Sequence, residues 1–239
     1  MNISFCTTCA NRFYQLEQTF ESNLNIIIEH PNTQWVILNY NSKDELHEFM
    51  LKQLPFLPSR IIYARSTSNK PWHISVAKNM AHRLGSGEVL VNLDCDNFIG
   101  NAVEIISSKL TRSVQMLHLW SGTYRDGSWG RIALAKDVFY ALGGYDESFY
   151  PMGYDDRDLL ERAIAYGISV VHFPCVSKPA IQNSKEDSIK YCTIRGLNLK
   201  SYVRLNKKKS QFNIAAKYLV ANKDSKREKA HIEIFKGEK

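Results

Sequence analysis

No apolar run in the 239-residue chain approaches the roughly 20 residues needed to cross a bilayer. The opening MNISFCTTCANRFY lacks the charged start and long apolar stretch of a secretory leader, so the expected setting is the cytoplasm. A phosphate-binding loop of the form GxxxxGK followed by Ser or Thr is absent, which excludes a P-loop enzyme. No segment repeats, which excludes a solenoid. Cysteine is scarce, and its odd count of five argues for free thiols rather than a disulfide framework. Cys6 and Cys9 form the one close pair, CTTC, at the spacing of a redox dithiol or half a zinc site; Cys95, Cys175 and Cys192 are too scattered to supply the other half.

Acidic residues are sparse at one end only. Residues 1–184 hold 16 basic and 18 acidic side chains, whereas 185–239 hold 15 and 6, so the net charge of +7 resides in the tail. Such a tail suits an anionic membrane surface, a dimer contact or a solvated helical face. Its KKK and KDSKREK runs lack the interleaved aromatics of a single-strand binder, so no nucleic acid is expected.

What is present is a core and an alternation. With 44% hydrophobic residues the chain can fill a sizeable interior. ISFCT, QWVILN, RIIYA and EVLVNL read as strands separated by helical periodicity, the pattern of an α/β sheet covered on both faces. Ser42 and Glu45 in SKDELHEFMLKQL have the spacing of a capping box. The strands QMLHLW, RIALA and ISVVHF and helices beginning at Lys136 and near Asp155 follow, with a helical reading for SIKYCTIRGLNLKSYVRL. Ligands of such sheets bind beyond the carboxyl ends of the strands, where CTTCANR, NYNS and DCD should converge.

The DCD stretch sets two like charges, Asp94 and Asp96, one residue apart at a strand end. If the chain is extended there, both side chains face one spot, which is costly without a cation. Mg²⁺ or Mn²⁺ binds through one or two carboxylates while phosphates fill further positions. A simple turn is the alternative use of these aspartates. Three functions suit the pair: transfer from a nucleotide sugar, metal-dependent phosphoester hydrolysis, or non-catalytic nucleotide binding. A second acidic cluster, Asp155, Asp156 and Asp158, opens a helix, where negative charge is favoured by the dipole. It follows Tyr145, Phe149, Tyr150 and Tyr154, an aromatic set that would stack on a sugar while a carboxylate takes a hydroxyl proton.

From SFCTTCANR to about residue 176 the chain resembles family-2 glycosyltransferases of the GT-A fold, most closely their galactosyltransferase and N-acetylgalactosaminyltransferase branch. The resemblance is carried by DCD at 94–96, AKN at 77–79 and, most specifically, GRIALAKDVFYALGGYDESFYPMGYDDRDLLER. It implies a mostly parallel sheet in a catalytic domain over 1–180, with a donor half at 1–100, an acceptor half at 101–180, and a basic, helical extension over 181–239. It further implies a UDP-hexose donor, a saccharide or lipid-linked acceptor, inversion at the anomeric carbon, Mn²⁺ or Mg²⁺, and a role in bacterial polysaccharide assembly. By the same resemblance Thr7, Thr8, Asn11, Arg12, Asn39, Asn41, Lys78 and Asn79 hold the nucleotide, and Gly130 and Arg131 bracket the sugar. Asp94 lies near the ribose or a metal-bound water, Asp96 ligates the metal, Asp156 is the base and Asp155 orients the sugars. The branch reads WGGED where this chain has MGYDD, so Met152 and Tyr154 replace a tryptophan and a glycine. The family's metal-ligating histidine has His172 as its counterpart, or else Ser177 stands at that position.

Overall fold

The computed structural model describes residues 1–67, 70–111, 114–123, 126–182, 184, 187, 189–192, 196–223 and 232–239. Four strands come first: β1 (Ile3–Cys9), β2 (Thr33–Tyr40), β3 (Ile61–Ser66) and β4 (Val89–Asn92). Between them run helices α1 (Phe13–Glu29), α2 (Leu46–Gln53) and α3 (Ile74–Leu84). The first three strands are almost entirely buried, as expected of parallel strands covered on both faces. Then follow α4 (Ala102–Lys109), β5 (Met116–His118), β6 (Ile132–Ala135), α5 (Lys136–Ala141), α6 (Asp155–Tyr166), β7 (Val170–His172), α7 (Leu199–Ala215) and β8 (Ile232–Lys236).

Together the strands form one sheet in the order β7-β5-β6-β4-β1-β2-β3-β8. β1 pairs in parallel with both β2 and β4, so the chain turns outward in opposite directions on either side of it. That reversal opens a crevice between the ends of β1 and β4, the standard place for a ligand in an open α/β sheet. β6 and β8 run antiparallel to their neighbours, making the sheet mixed but mostly parallel in its centre. One apolar core lies under α1 and α2 around Phe20, Trp35 and Ile37; another packs under α3 and α6 around Leu38, Leu134 and Leu159.

Two local expectations change. Cys6 belongs to one core and Cys9 to the other, because residues three apart on a strand point to opposite faces; the CTTC is not a dithiol. Cys9 instead lies beside Cys95. Ser42 does not cap α2: its hydroxyl accepts from the Asn11 backbone N–H, and the N-cap of α2 is Glu45, which makes no side-chain capping bond. Asp44, next to it, accepts from the Phe13 N–H at 2.8 Å, so the loop after β2 caps α1. Within the region expected as a basic extension, α7 packs on α6 and β8 extends the sheet beside β3, while residues 224–229 of the KDSKREK run lie outside the described residues. The run Lys207–Lys209 sits on the exposed side of α7. Among the described residues no helix is long and apolar enough to cross a membrane.

Candidate active site

β4 stops at Asn92, and the chain then folds into a turn in which the Asn97 N–H donates to the Asp94 carbonyl at 2.9 Å. Asp94 and Asp96 are therefore not aligned by strand alternation, as the extended reading supposed; the turn places both residues on the lining of one cavity of about 330 Å³. The cavity lies in the β1/β4 crevice. Thr8 and Arg12 line it from the β1 loop, Trp72 and Ile74 from the start of α3, and Met152 from the loop before α6. Ala180, Ile181, Gln182, Asp187 and Tyr191 close the remaining side, with the Ile181 N–H donating to the Asp96 carbonyl at 2.8 Å. Burial and then the Asp94 charge push the Asp96 carboxyl up to about 6, with Arg12 and the Asn97 amide working against them.

These two carboxylates suit a hard divalent cation by donor type. Among the described residues no three His, Cys, Asp or Glu side chains gather to hold a metal unaided, so phosphate and water oxygens would have to complete the shell. His172 is not beside them. It sits on the edge strand β7, where its Nδ1–H donates to the His118 carbonyl at 3.1 Å and its ring packs on Trp120. The Ser177 hydroxyl accepts from Arg131.

The second acidic group meets the first through Lys78. α3 projects this lysine into the interior, where its ammonium lies 2.6 Å from Asp156 Oδ1, 2.8 Å from Asp155 Oδ2 and 3.9 Å from Asp94 Oδ1. A fully buried ammonium is tolerable only with such company. Those carboxylates hold it above the ordinary lysine value although burial, the largest influence, acts the other way. Asp156 is pushed up to about 7, by burial first and Asp155 next, with Lys78 opposing. Two successive left-handed residues, Gly153 and Tyr154, turn the chain sharply into α6 and swing its first turn toward Lys78. Asn206 of α7 clamps that turn, donating to the Gly153 carbonyl at 2.7 Å and accepting from the Tyr150 N–H at 2.7 Å.

Gly130 completes the junction. A Cβ there would stand 2.8 Å from Asp94 Oδ2 and 2.9 Å from Asp156 Oδ2, so only a glycine lets both oxygens face the same space. Gly130→Ala should keep the melting temperature close to that of the unmodified protein, since side-chain ends can shift cheaply. Turnover should nevertheless fall about 100-fold, the usual cost of misplacing reacting groups by an ångström; paired melting and rate measurements check this.

Other residues named from the sequence are placed differently. Thr7 accepts from the Trp35 indole at 2.9 Å inside the core. Asn39 bonds to Tyr63 and to the Ser42 N–H, and Asn79 to the Tyr145 backbone and Glu147, so these amides are used internally. Asn11 and Asn41 fasten Lys43 through its N–H and its ammonium. Arg131 is buried and donates to Asn97 Oδ1 at 2.7 Å, supporting the turn rather than lining the cavity. His73 caps α3 through Nδ1 and donates from Nε2 to the Phe149 carbonyl at 3.0 Å. Of the aromatic set before α6, Tyr145 and Phe149 are buried, Tyr150 is exposed with its ring stacked on Tyr202 of α7, and Tyr154 is half-buried with its hydroxyl donating to Glu161 at 3.1 Å. The wall formed by Ala180, Ile181, Gln182, Asp187 and Tyr191 was not foreseen from the sequence, since no motif marks these residues.

Comparison with known proteins agrees with this fold. Residues 4–103 match the Glycosyl transferase family 2 model. No curated protein sequence matches. Among solved structures, the mannosyltransferase PcManGT from Pyrobaculum calidifontis, in complex with GDP-Man and Mn²⁺, superposes with a TM-score of 0.57 at 14% identity over 92% of this chain and 72% of that one. S. aureus TarS 1-349 gives 0.60 at 11% identity, covering 93% of this chain and 66% of that one. Glucosyl-3-phosphoglycerate synthase from Mycobacterium tuberculosis, in complex with Mn²⁺, UDP and phosphoglyceric acid, gives 0.55 at 15% identity over 79% and 73%. Over residues 4–103 the chain is thus similar to family 2 glycosyl transferases, and its fold is that of the GT-A structures it superposes on.

Proposed function

We propose that this protein transfers a hexose from a nucleotide sugar, UDP-linked, to a saccharide hydroxyl with inversion at the anomeric carbon. The observation that carries the reading is the junction of two acidic groups. Asp94 and Asp96 face the cavity from the β4 turn, and Asp155 and Asp156 meet Asp94 across Lys78 and Gly130. Ligands of the similar structures support the donor class, since one holds GDP-Man with Mn²⁺ and another UDP with Mn²⁺. The galactose-type sugar rests on the segment running from Gly130 to Arg162.

Thr8 and Arg12 would contact the nucleotide, and Asp94 and Asp96 would hold a divalent cation, which when bound supplies positive charge beside the diphosphate. Asp156 has one oxygen committed to Lys78 and the other, Oδ2, turned toward Gly130. Oδ2 accepts the acceptor hydroxyl proton as that oxygen bonds to C1; the bond from C1 to the diphosphate breaks, and its electron pair leaves with the diphosphate. A base near neutrality suits this transfer, because it is ionised at working pH yet basic enough to take a proton. Lys78 keeps Asp155 and Asp156 in one orientation, sparing the reaction that reorganisation.

A phosphoesterase acting through two metals would need a larger carboxylate set than the Asp94 and Asp96 pair. Asp96→Ala tests the donor site. In calorimetric titration with UDP-glucose and UDP-galactose, the unmodified protein should bind in Mn²⁺ and lose most affinity on chelation. The variant should bind weakly in both conditions, and unchanged affinity in Asp96→Ala would remove the metal assignment.

A further inference from the structure

Three of the chain's four tryptophans are half-buried, and two of them, Trp120 and Trp129, lie together beside the transfer site. Trp120 and Trp129 have ring centroids 4.8 Å apart at a 56° tilt. His118 backs both rings, and His172 packs against Trp120 at 5.5 Å. The Arg157 guanidinium stands 4.8 Å over the Trp129 ring, and among the described residues it forms no ion pair with a carboxylate. Two chain connections fix this cluster to the chemistry: Trp129 immediately precedes Gly130, and Arg157 immediately follows Asp156. The backbone of Trp129 is itself held, its carbonyl accepting from His118 Nε2–H at 2.9 Å.

Indole rings are large apolar bodies that a fold normally buries, as this one does with Trp35. Keeping two of them at the surface, braced by imidazoles, uses apolar area that the core could have taken. The surroundings are polar: Ser121, Asp126 and Ser128 form a hydrogen-bonded group along one border, and Arg157 brings N–H donors with no acceptor capacity. Flat C–H surface with hydroxyls at its edge is the chemistry that fits aromatic faces ringed by donors and acceptors, which describes a pyranose.

We propose that Trp120, Trp129 and Arg157 form the acceptor subsite, holding a pyranosyl saccharide by stacking while Arg157 donates to its oxygens and its reacting hydroxyl points to Asp156. This rests on the glycosyl-transfer reading and names the acceptor class of that site. Trp72 lines the donor cavity, so the tryptophans report separately on the two halves.

The test is ¹⁹F NMR of the full chain carrying 5-fluorotryptophan, with the four resonances assigned by single Trp→Phe variants. Lactose, xylobiose and methyl β-D-galactopyranoside are titrated in turn, each with UDP and Mn²⁺ present. UDP with Mn²⁺ should move Trp72, and at least one saccharide should then move Trp120 and Trp129. Trp129→Ala should weaken that saccharide at least tenfold while leaving the UDP response of Trp72 intact. If UDP moves Trp72 but no saccharide moves Trp120 or Trp129, or if Trp129→Ala binds the saccharide as tightly as the unmodified protein, the subsite is overturned and the donor reading stands. A Trp72 resonance indifferent to UDP and Mn²⁺ would instead count against the donor reading, and the saccharide response alone would then decide the subsite.

Discussion

Asp156→Asn is expected to lower turnover about 10²–10⁴-fold, the usual contribution of a positioned general base. The substitution is isosteric and removes one of three like charges around Lys78, so the melting temperature should not fall. Affinity for the nucleotide sugar should be unchanged, because the donor cavity is lined by Asp94 and Asp96 and not by Asp156. In the unmodified protein the pH profile should carry the same signature. Asp156 acts only when ionised, and its carboxyl is raised to about 7, so activity should climb as pH rises through about 7. An ordinary carboxylate would be fully ionised two or three units lower. A steady-state profile at saturating donor separates the two, and near-normal turnover by Asp156→Asn would remove this residue as the base.

The largest effect on stability should come from Arg162→Ala. Arg162 and Asp158 lie four apart on α6, are both fully buried, and meet at 2.7 Å. The same guanidinium donates to the carbonyls of Leu142, Gly144 and Leu219, and so fastens the loop before α6 and the chain after α7 to one point. Removing it strands a buried carboxylate and the Gly144 and Leu219 carbonyls, while the Leu142 carbonyl keeps the Ala221 N–H. Breaking a buried pair from one side costs about 3–5 kcal/mol. For a chain of this size that is a fall in melting temperature of roughly 6–20 °C. Replacing both partners, Asp158→Ala with Arg162→Met, should recover part of the loss because no charge is left buried alone. A single variant within 1 °C of the unmodified protein would contradict this account of how α6 is held.

These two aspartates show how far the sequence could be read. Asp155, Asp156 and Asp158 look alike as an acidic helix start, and the dipole explains all three equally. What separates Asp158 is α6 itself: three residues after Asp155 its side chain turns inward to Arg162, while Asp155 and Asp156 reach Lys78. The alternation of strands and helices was legible because burial imposes a period on every element of the sheet. β8 was not, since its pairing with β3 joins residues some 170 positions apart and no local pattern announces that. The convergence of DCD and GYDDRDL was legible from their order along the chain, but the lysine joining them was not. A lysine on a helix is ordinarily a solvated residue, and its burial follows from partners that are distant in sequence. The sugar platform was sought among Tyr145, Phe149, Tyr150 and Tyr154 because they adjoin the acidic helix. In the fold Tyr145 and Phe149 pack inward, and the half-buried indoles come from the irregular stretch between β5 and β6.

The central claim is that the crevice between β1 and β4 binds a nucleotide sugar through a divalent cation. A thermal-shift series with UDP-, GDP- and TDP-hexoses, each with Mn²⁺ and with chelator, tests it most directly. A ligand held only by the native state at 100 times its dissociation constant adds about 2.7 kcal/mol. For a chain of this size the melting temperature should then rise by roughly 5–10 °C with one nucleotide class and Mn²⁺, and by far less with chelator. A melting temperature indifferent to every nucleotide sugar, or raised equally with and without the metal, would contradict it.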